Sequence, residues 1–309
     1  MDATYPIGKR LVCGIGDLGA EQKVAGVAAR LGADMGCGVT LVHVIGSVHP
    51  LPLGLRPPGP LRARRARREL ALVAGGRRFP PGTGVRIESG DPLDSLTEVA
   101  QEEDAELLVV GAREAGSATS LLPGGVTSAL IRKSPCPVVV VPQEAVRPPE
   151  AGPIAAVVCG VEGEDLDVPV LRLAADLARR LPAELHAVHA YDPLVLGAIG
   201  MAAPAPPVDL DLREAAERTL LNALEEADVA AHEHVIELPP DLALRRIAGE
   251  ERAGLIVVGA RDRSKLTSLL HGSVPMRLAG EGNTTLVVLP EAARLESGSG
   301  HYEVMHGAA

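Results

Sequence analysis

The chain has 309 residues, a net charge of −10 and a composition that is 46% hydrophobic but only 1% aromatic. That charge and the scarcity of rings exclude a base-stacking nucleic-acid surface, and any core must be built from Val, Leu, Ile and Ala. The length suits about two domains, and the charge is uneven: residues 1–150 carry 17 Lys+Arg against 16 Asp+Glu, the remainder 13 against 24.

From the N-terminus, the apolar run 11–15 predicts a first strand, 20–31 an amphipathic helix and 39–45 a second strand. A Pro/Gly-rich loop (46–60) leads into a second helix. A short strand at 85–88 and a third helix precede the strongest strand, 107–110. A glycine loop, a fourth helix and a last strand, 138–141, close the unit. The same series then repeats: strand 154–161, helix 168–181, strand 184–190, loop 192–207, a helix, strand 233–237, a helix, strand 255–258, glycine loop, helix, strand 286–289. Alternating β and α with continuous apolar strands predicts parallel sheets covered on both faces.

The repeat is explicit. AELLVVGAREAGSATSLL from Ala105 and AGLIVVGARDRSKLTSLL from Ala253 are identical at 11 of 18 positions, at an offset of 148. Upstream, Val12-Cys-Gly-Ile-Gly matches Val158-Cys-Gly-Val-Glu, and Val42-His-Val matches Val188-His-Ala, at an offset of 146. The expected division is a domain at 1–146, a Pro-rich linker at 147–153, a second domain at 154–291 and a disordered tail at 292–309.

Ligands of doubly wound sheets bind where strand order reverses, at the carboxyl ends of the strands. The glycines after strands, Gly14–Gly16 and Gly111, stand at such ends.

The Val-Val-Gly-Ala-Arg strand end, the nine-residue gap to Gly-Gly-Val or Gly-Ser-Val, Ser89-Gly-Asp-Pro92, Ser134-Pro-Cys-Pro-Val138 and the Val-His strands together resemble the universal stress protein family, twice over. The resemblance implies two tandem Rossmann-like α/β domains, each a five-stranded parallel sheet with helices on both faces. It also implies pairing through the last strands as an intramolecular pseudo-dimer, with higher homo-oligomers open. In nucleotide-binding members the phosphate site resembles G-x-x-G, nine residues, then G-[ST]. Its glycines let backbone N–H groups approach phosphate, and its hydroxyl sits at a helix N-terminus. An aspartate at the end of the first strand helps hold the nucleoside.

The two copies match that pattern unequally. The first keeps Gly111, Gly124 and Val126, but has Glu114 at the second glycine, Gly125 at the hydroxyl position and Gly16 at the aspartate. The second keeps Gly259, Gly272, Ser273 and Val274, has Glu162 after Val161 at the aspartate position, and has Asp262 at the second glycine. Ala190 ends its second strand, and Arg113 and Arg261 precede the two acids, able to pair with them or with phosphate. A carboxylate about 5 Å from a phosphate costs roughly 3 kcal/mol at an effective dielectric near 20, about a hundredfold in affinity.

Elsewhere, Arg62, Arg64, Arg65, Arg67 and Arg68 fall opposite the stripe Ala63, Ala66, Leu70, Val73, which predicts a solvated basic face or a surface for an acidic partner. The four cysteines form no C-x-x-C pair and predict small core residues. His43 and His189 are equivalent strand residues read as packed or edge histidines. His232 and His234 share a strand face but show no third metal ligand in sequence, so no metal is expected. With no leader peptide and no apolar run of ~18 residues, a cytoplasmic protein without membrane contact is expected.

No G-x-S-x-G, H-E-x-x-H or Walker lysine occurs, which argues against an enzyme. Three readings stand: a regulatory protein binding an adenine nucleotide (ATP, with Mg2+) weakly through its second domain, a module of the same fold that only contacts an unknown protein partner, and a slow ATPase.

Overall fold

The computed structural model describes residues 10–16, 22–46, 59–75, 79–112, 125–143, 153–163, 167–191, 208–260 and 273–293. The first copy runs β1 (Arg10–Gly14), α1 (Gln22–Met35), β2 (Gly38–Gly46), α2 (Gly59–Gly75), β3 (Gly84–Gly90), α3 (Pro92–Glu102), β4 (Ala105–Gly111), α4 (Gly125–Lys133), β5 (Val138–Val141). The second runs β6 (Ala156–Val161), α5 (Asp167–Arg180), β7 (Glu184–Tyr191), α6 (Val208–Ala227), β8 (His232–Glu237), α7 (Pro240–Glu250), β9 (Leu255–Ala260), α8 (Val274–Glu281), β10 (Thr285–Pro290). The expected linker, both Pro-rich loops and the tail fall largely outside the described residues.

All ten strands form one sheet, in the order β3-β2-β1-β4-β5-β10-β9-β6-β7-β8. Within each copy every pairing is parallel, as the apolar runs and helical crossovers require. The copies join through the antiparallel pair β5–β10, in which Val139 faces Val287. Those two residues are repeat equivalents, so a pseudo-twofold axis passes through the pair, the self-complementary geometry of a symmetric dimer.

Strand alternation sorts the core into two layers, each continuous across this junction. Leu11, Cys13, Leu107, Val109, Val139, Val287, Val257 and Cys159 pack under α1, α2, α5 and α6. Val12, Leu108, Val110, Val138, Val288, Ile256 and Val158 pack under α3, α4, α7 and α8.

Local rules set the element ends. Helix α1 runs a turn past its predicted end because Met35 extends the buried stripe. It stops at Gly36, whose φ of +67° is the left-handed conformation of a helix C-terminus. The Ser-Gly-Asp-Pro motif is a helix start: Asp91 caps α3, its carboxylate accepting from Leu93 N (2.9 Å) and Asp94 N (3.2 Å), with Pro92 in the first turn.

Candidate functional site

In each half the strand order reverses between the first and fourth strands, β1/β4 and β6/β9. The carboxyl ends of those pairs are the natural ligand crevices. In the second copy Val161 ends β6, Glu162 follows it exposed, Ala190 lies near the end of β7, Gly259 is the penultimate residue of β9, Ser273 precedes α8 and Val274 begins it. The fold therefore brings the ends of these four elements to one rim. In the first copy Gly111 ends β4, and Gly125 and Val126 open α4. Arg113, Glu114, Gly124, Arg261, Asp262 and Gly272 lie outside the described residues.

A residue that the motifs did not single out organises the second rim. Asp167, at the start of α5, is buried, and its two carboxylate oxygens accept from the backbone N–H of Glu162 (2.8 Å) and Gly163 (2.5 Å). Burial raises its pKa above the usual aspartate value, against the opposing pull of those two N–H groups and of His189. The available sequence signal was an acid in the first turn of a predicted helix. Gly163 has φ +88°, and a Cβ there would lie 2.6 Å from Thr219 Cγ2 on α6. The turn after β6 is thus pinned from both sides, and Glu162 projects from it toward solvent. A carboxylate held there can accept hydroxyl or amino hydrogens of a ligand.

Both equivalent histidines anchor the same point in their copy. His43 Nδ1 lies 2.8 Å from Ile15 O, and His189 Nδ1 lies 2.9 Å from Val161 O. Each ring ties its strand to the end of the neighbouring first strand, more specific than simple packing.

The helix starts differ. Ser273 precedes α8 in extended conformation, exposed, and its hydroxyl makes no capping bond, while its carbonyl accepts from Met276 N (2.9 Å) and Arg277 N (3.1 Å). The Ser273 hydroxyl and the first-turn N–H of Val274 thus stand at a helix N-terminus, where negative charge is favoured, with Pro275 contributing no donor. In the first copy Gly125 offers no hydroxyl, and Thr127, the equivalent of Pro275, donates its Oγ1 hydrogen to Gly111 O (2.8 Å). That bond ties α4 to the end of β4.

Gly14 ends β1 at the switch point, and packing also requires a glycine there. A Cβ on Gly14 would meet the Leu96 methyls at 3.1 Å and Val110 at 3.3 Å. On its equivalent Gly160 it would meet Leu244 at 3.2 Å and Val258 at 3.3 Å. These glycines admit a leucine of the third helix close against the sheet.

All four cysteines are free and buried. Burial, then the neighbouring Glu106, pushes the Cys37 thiol up to about 11. Ala66 and Leu70 of α2 are buried, while Arg64, Arg65, Arg67 and Arg68 are exposed; the Arg62 side chain lies outside the described residues. No described helix is long and apolar enough to cross a membrane. His232 and His234 of β8 do share a face, and the fold adds what the sequence did not reveal: His186 of β7 and Glu251 at the end of α7.

The Universal stress protein family model matches residues 8–142 and again 154–290. The chain is 29% identical over 306 residues to Universal stress protein Rv2623 of Mycobacterium tuberculosis, covering 91% of this chain and 96% of that one. It superposes with a TM-score of 0.63 on a universal stress protein from Archaeoglobus fulgidus at 16% identity, covering 91% of this chain and 98% of that one. It also superposes, with a TM-score of 0.55, on protein PA1789 from Pseudomonas aeruginosa at 17% identity, covering 96% and 98%; these two show the fold. Two matched domains spanning most of the chain, built on one sheet about a pseudo-twofold, place this chain in the universal stress protein family as a tandem, two-domain member.

Proposed function

We propose that the chain is a cytoplasmic, non-enzymatic regulatory protein of the stress response, in which the second domain (154–291) binds an adenine nucleotide weakly, as ATP with Mg2+. The first domain (1–146), joined by the linker 147–153, is its non-binding partner. The observation that carries this reading is the pinned turn after β6: a buried aspartate and a glycine-only conformation hold Glu162 at the switch point. That turn shares the rim with Gly259 and the uncapped Ser273 hydroxyl. Glu162 would take the nucleoside and the α8 start the phosphates, with Gly272, Arg261 and Asp262 placed by the family resemblance alone. In the first domain Gly125 lacks the hydroxyl and Thr127 is committed to Gly111.

The test is mass spectrometry of nucleotide released from the purified chain, with calorimetric titration of ATP and magnesium. Weak ATP binding that falls in Glu162→Gln and Ser273→Ala supports the reading. ATP binding absent from both the wild type and Asp262→Gly overturns it in favour of a module that contacts protein alone.

A further inference from the structure

We propose that the second domain carries a site for a divalent transition metal of the zinc class, ligated by His186, His234 and Glu251 at the amino-terminal rim of the sheet. This rim lies at the opposite strand ends from the nucleotide crevice, so the site is independent of the function proposed above.

Three separate elements build it. His186 of β7 pairs in register with His232 of β8, and His234 lies two residues on. Period-two alternation puts all three rings on the sheet face covered by α7, whose C-terminal cap is Glu251. His186 Nδ1 and His234 Nε2 are 3.0 Å apart, and one donor atom from each of His186, His234 and Glu251 lies within 4.8 Å of the others. Two ligands at the usual ~2.0–2.1 Å from one tetrahedral zinc stand roughly 3.3 Å apart, so the imidazoles need move only slightly and the carboxylate must close in. His186 is 4% exposed, and its other ring nitrogen, Nε2, is buried without a hydrogen-bond partner. Glu184 Oε2 stands 3.8 Å from that atom. Metal on Nδ1 would fix the proton on Nε2, facing that carboxylate, the usual way a ligating imidazole is oriented.

The first domain is an internal control. By the repeat offsets, Thr40, Gly84, Arg86 and Glu103 occupy the places of His186, His232, His234 and Glu251, and Arg10 that of Ala156. There Glu103 accepts from Thr40 and is met by Arg86 (3.5 Å) and Arg10 (3.6 Å). The second domain keeps the acid but replaces both guanidinium groups, and three imidazoles surround the place. The charge that two arginines bring to Glu103 has no counterpart on these strands, and a divalent cation provides it. Neutral imidazole with carboxylate is a donor set that suits zinc.

The rings also stack, His186 on His232 at 4.9 Å and on His234 at 5.3 Å between centroids. A bare imidazole-to-imidazole hydrogen bond is therefore the competing account.

The experiment uses full-length, untagged protein stripped with a chelator, then titrated with Zn2+ by calorimetry and with Co2+ by visible absorption. The expected result is one ion per chain, tetrahedral cobalt bands and a zinc-dependent rise in thermal midpoint. Glu251→Gln weakens binding at least about tenfold. His234→Arg, which re-creates the arginine–glutamate pairing of the first domain, folds but loses the ion and its thermal effect; His43→Gln changes neither. No zinc-dependent rise in the wild type, or binding unchanged in both His234→Arg and Glu251→Gln, overturns the proposal.

Discussion

Arg180 is the most consequential polar residue at the junction of the two copies. It sits at the end of α5 in the second copy, where Asp176 lies 3.3 Å from its guanidinium, and the other partners of that guanidinium are in the first copy. One nitrogen donates to Glu106 Oε1; the other donates to Met35 O (3.1 Å), Cys37 Sγ (3.3 Å) and Glu106 Oε2 (3.3 Å). The side chains of Arg180 and Glu106 are 14% and 19% exposed. Burial works against the guanidinium charge, but Glu106 more than offsets it and holds the group above its ordinary pKa. Arg180→Met keeps the apolar stem and removes the charge. Breaking a fully buried pair costs about 3–5 kcal/mol and an exposed one about 0–1. At this exposure the loss should be about 2–3 kcal/mol, read by urea denaturation. Glu106→Gln should cost less, about 1–2 kcal/mol, because Arg180 retains the Met35 carbonyl and Asp176 at 3.3 Å. The double variant should recover at least about 1 kcal/mol relative to the sum of the singles. Strict additivity would refute the clamp and make Arg180 a surface residue that happens to lie nearby.

Three further outcomes follow from the second rim. Asp262→Gly, which removes a carboxylate from the family's phosphate loop, should tighten ATP binding by up to roughly a hundredfold in calorimetry, while Ser273→Ala should weaken it by roughly fivefold to tenfold. Gly163→Ala should cost about 1–3 kcal/mol in chemical denaturation, since alanine at φ +88° is strained and its methyl would meet Thr219 at 2.6 Å; unchanged stability would mean the turn is not pinned. Asp167 has its pKa raised in the fold, so the folded state binds that proton more tightly than the unfolded chain does. Protonation of Asp167 contributes stability that is full below the unfolded value of ~3.9, and ionisation removes it as pH rises through the folded value. The stability difference between wild type and Asp167→Asn should therefore shrink as pH rises through the carboxylate range in guanidinium titrations, and a difference that grows would contradict the burial argument.

Sequence patterns carried the scaffold because its determinants are local or repeated. Apolar runs such as Val138–Val141 are buried on both faces and read as strands without further information. The repeat offset also puts Val139 opposite Val287 once the last strands pair. What escaped depends on distance in the chain. Arg180 meets Glu106 across 74 residues and Cys37 across 143, and no periodicity reports such a meeting. His186 joins His234 only because β7 and β8 are adjacent, and Glu251 only because α7 ends beside them. Gly14 shows the same limit: it ends β1 as its place in the sequence suggests, but the leucine of α3 packed against it lies 82 positions away. Asp167 was overlooked because Glu162 fills the family's acidic position, although the buried acid five residues later holds the turn.

The junction also explains why the copies pair with each other. Its backbone is symmetric: β5 and β10 would pair equally well with copies of themselves. Its side chains are not. The repeat equivalent of Arg180 is Asp34, and that of Glu106 is Gly254, where a Cβ would lie 2.9 Å from Ile154. Across the pseudo-twofold, then, one side of the junction is an arginine–carboxylate clamp and the other is packed by Ile154. Two first domains paired through β5 would set Asp34 where Arg180 stands, a second carboxylate beside Glu106 at a mostly buried position. Two second domains paired through β10 would leave each Arg180 facing Gly254, a guanidinium out of water without an acid. Both homotypic pairings leave a desolvated charge, whereas the heterotypic one pairs Arg180 with Glu106. The asymmetry seen at the two ligand rims is therefore also present in the interface, where it fixes which partner each domain takes.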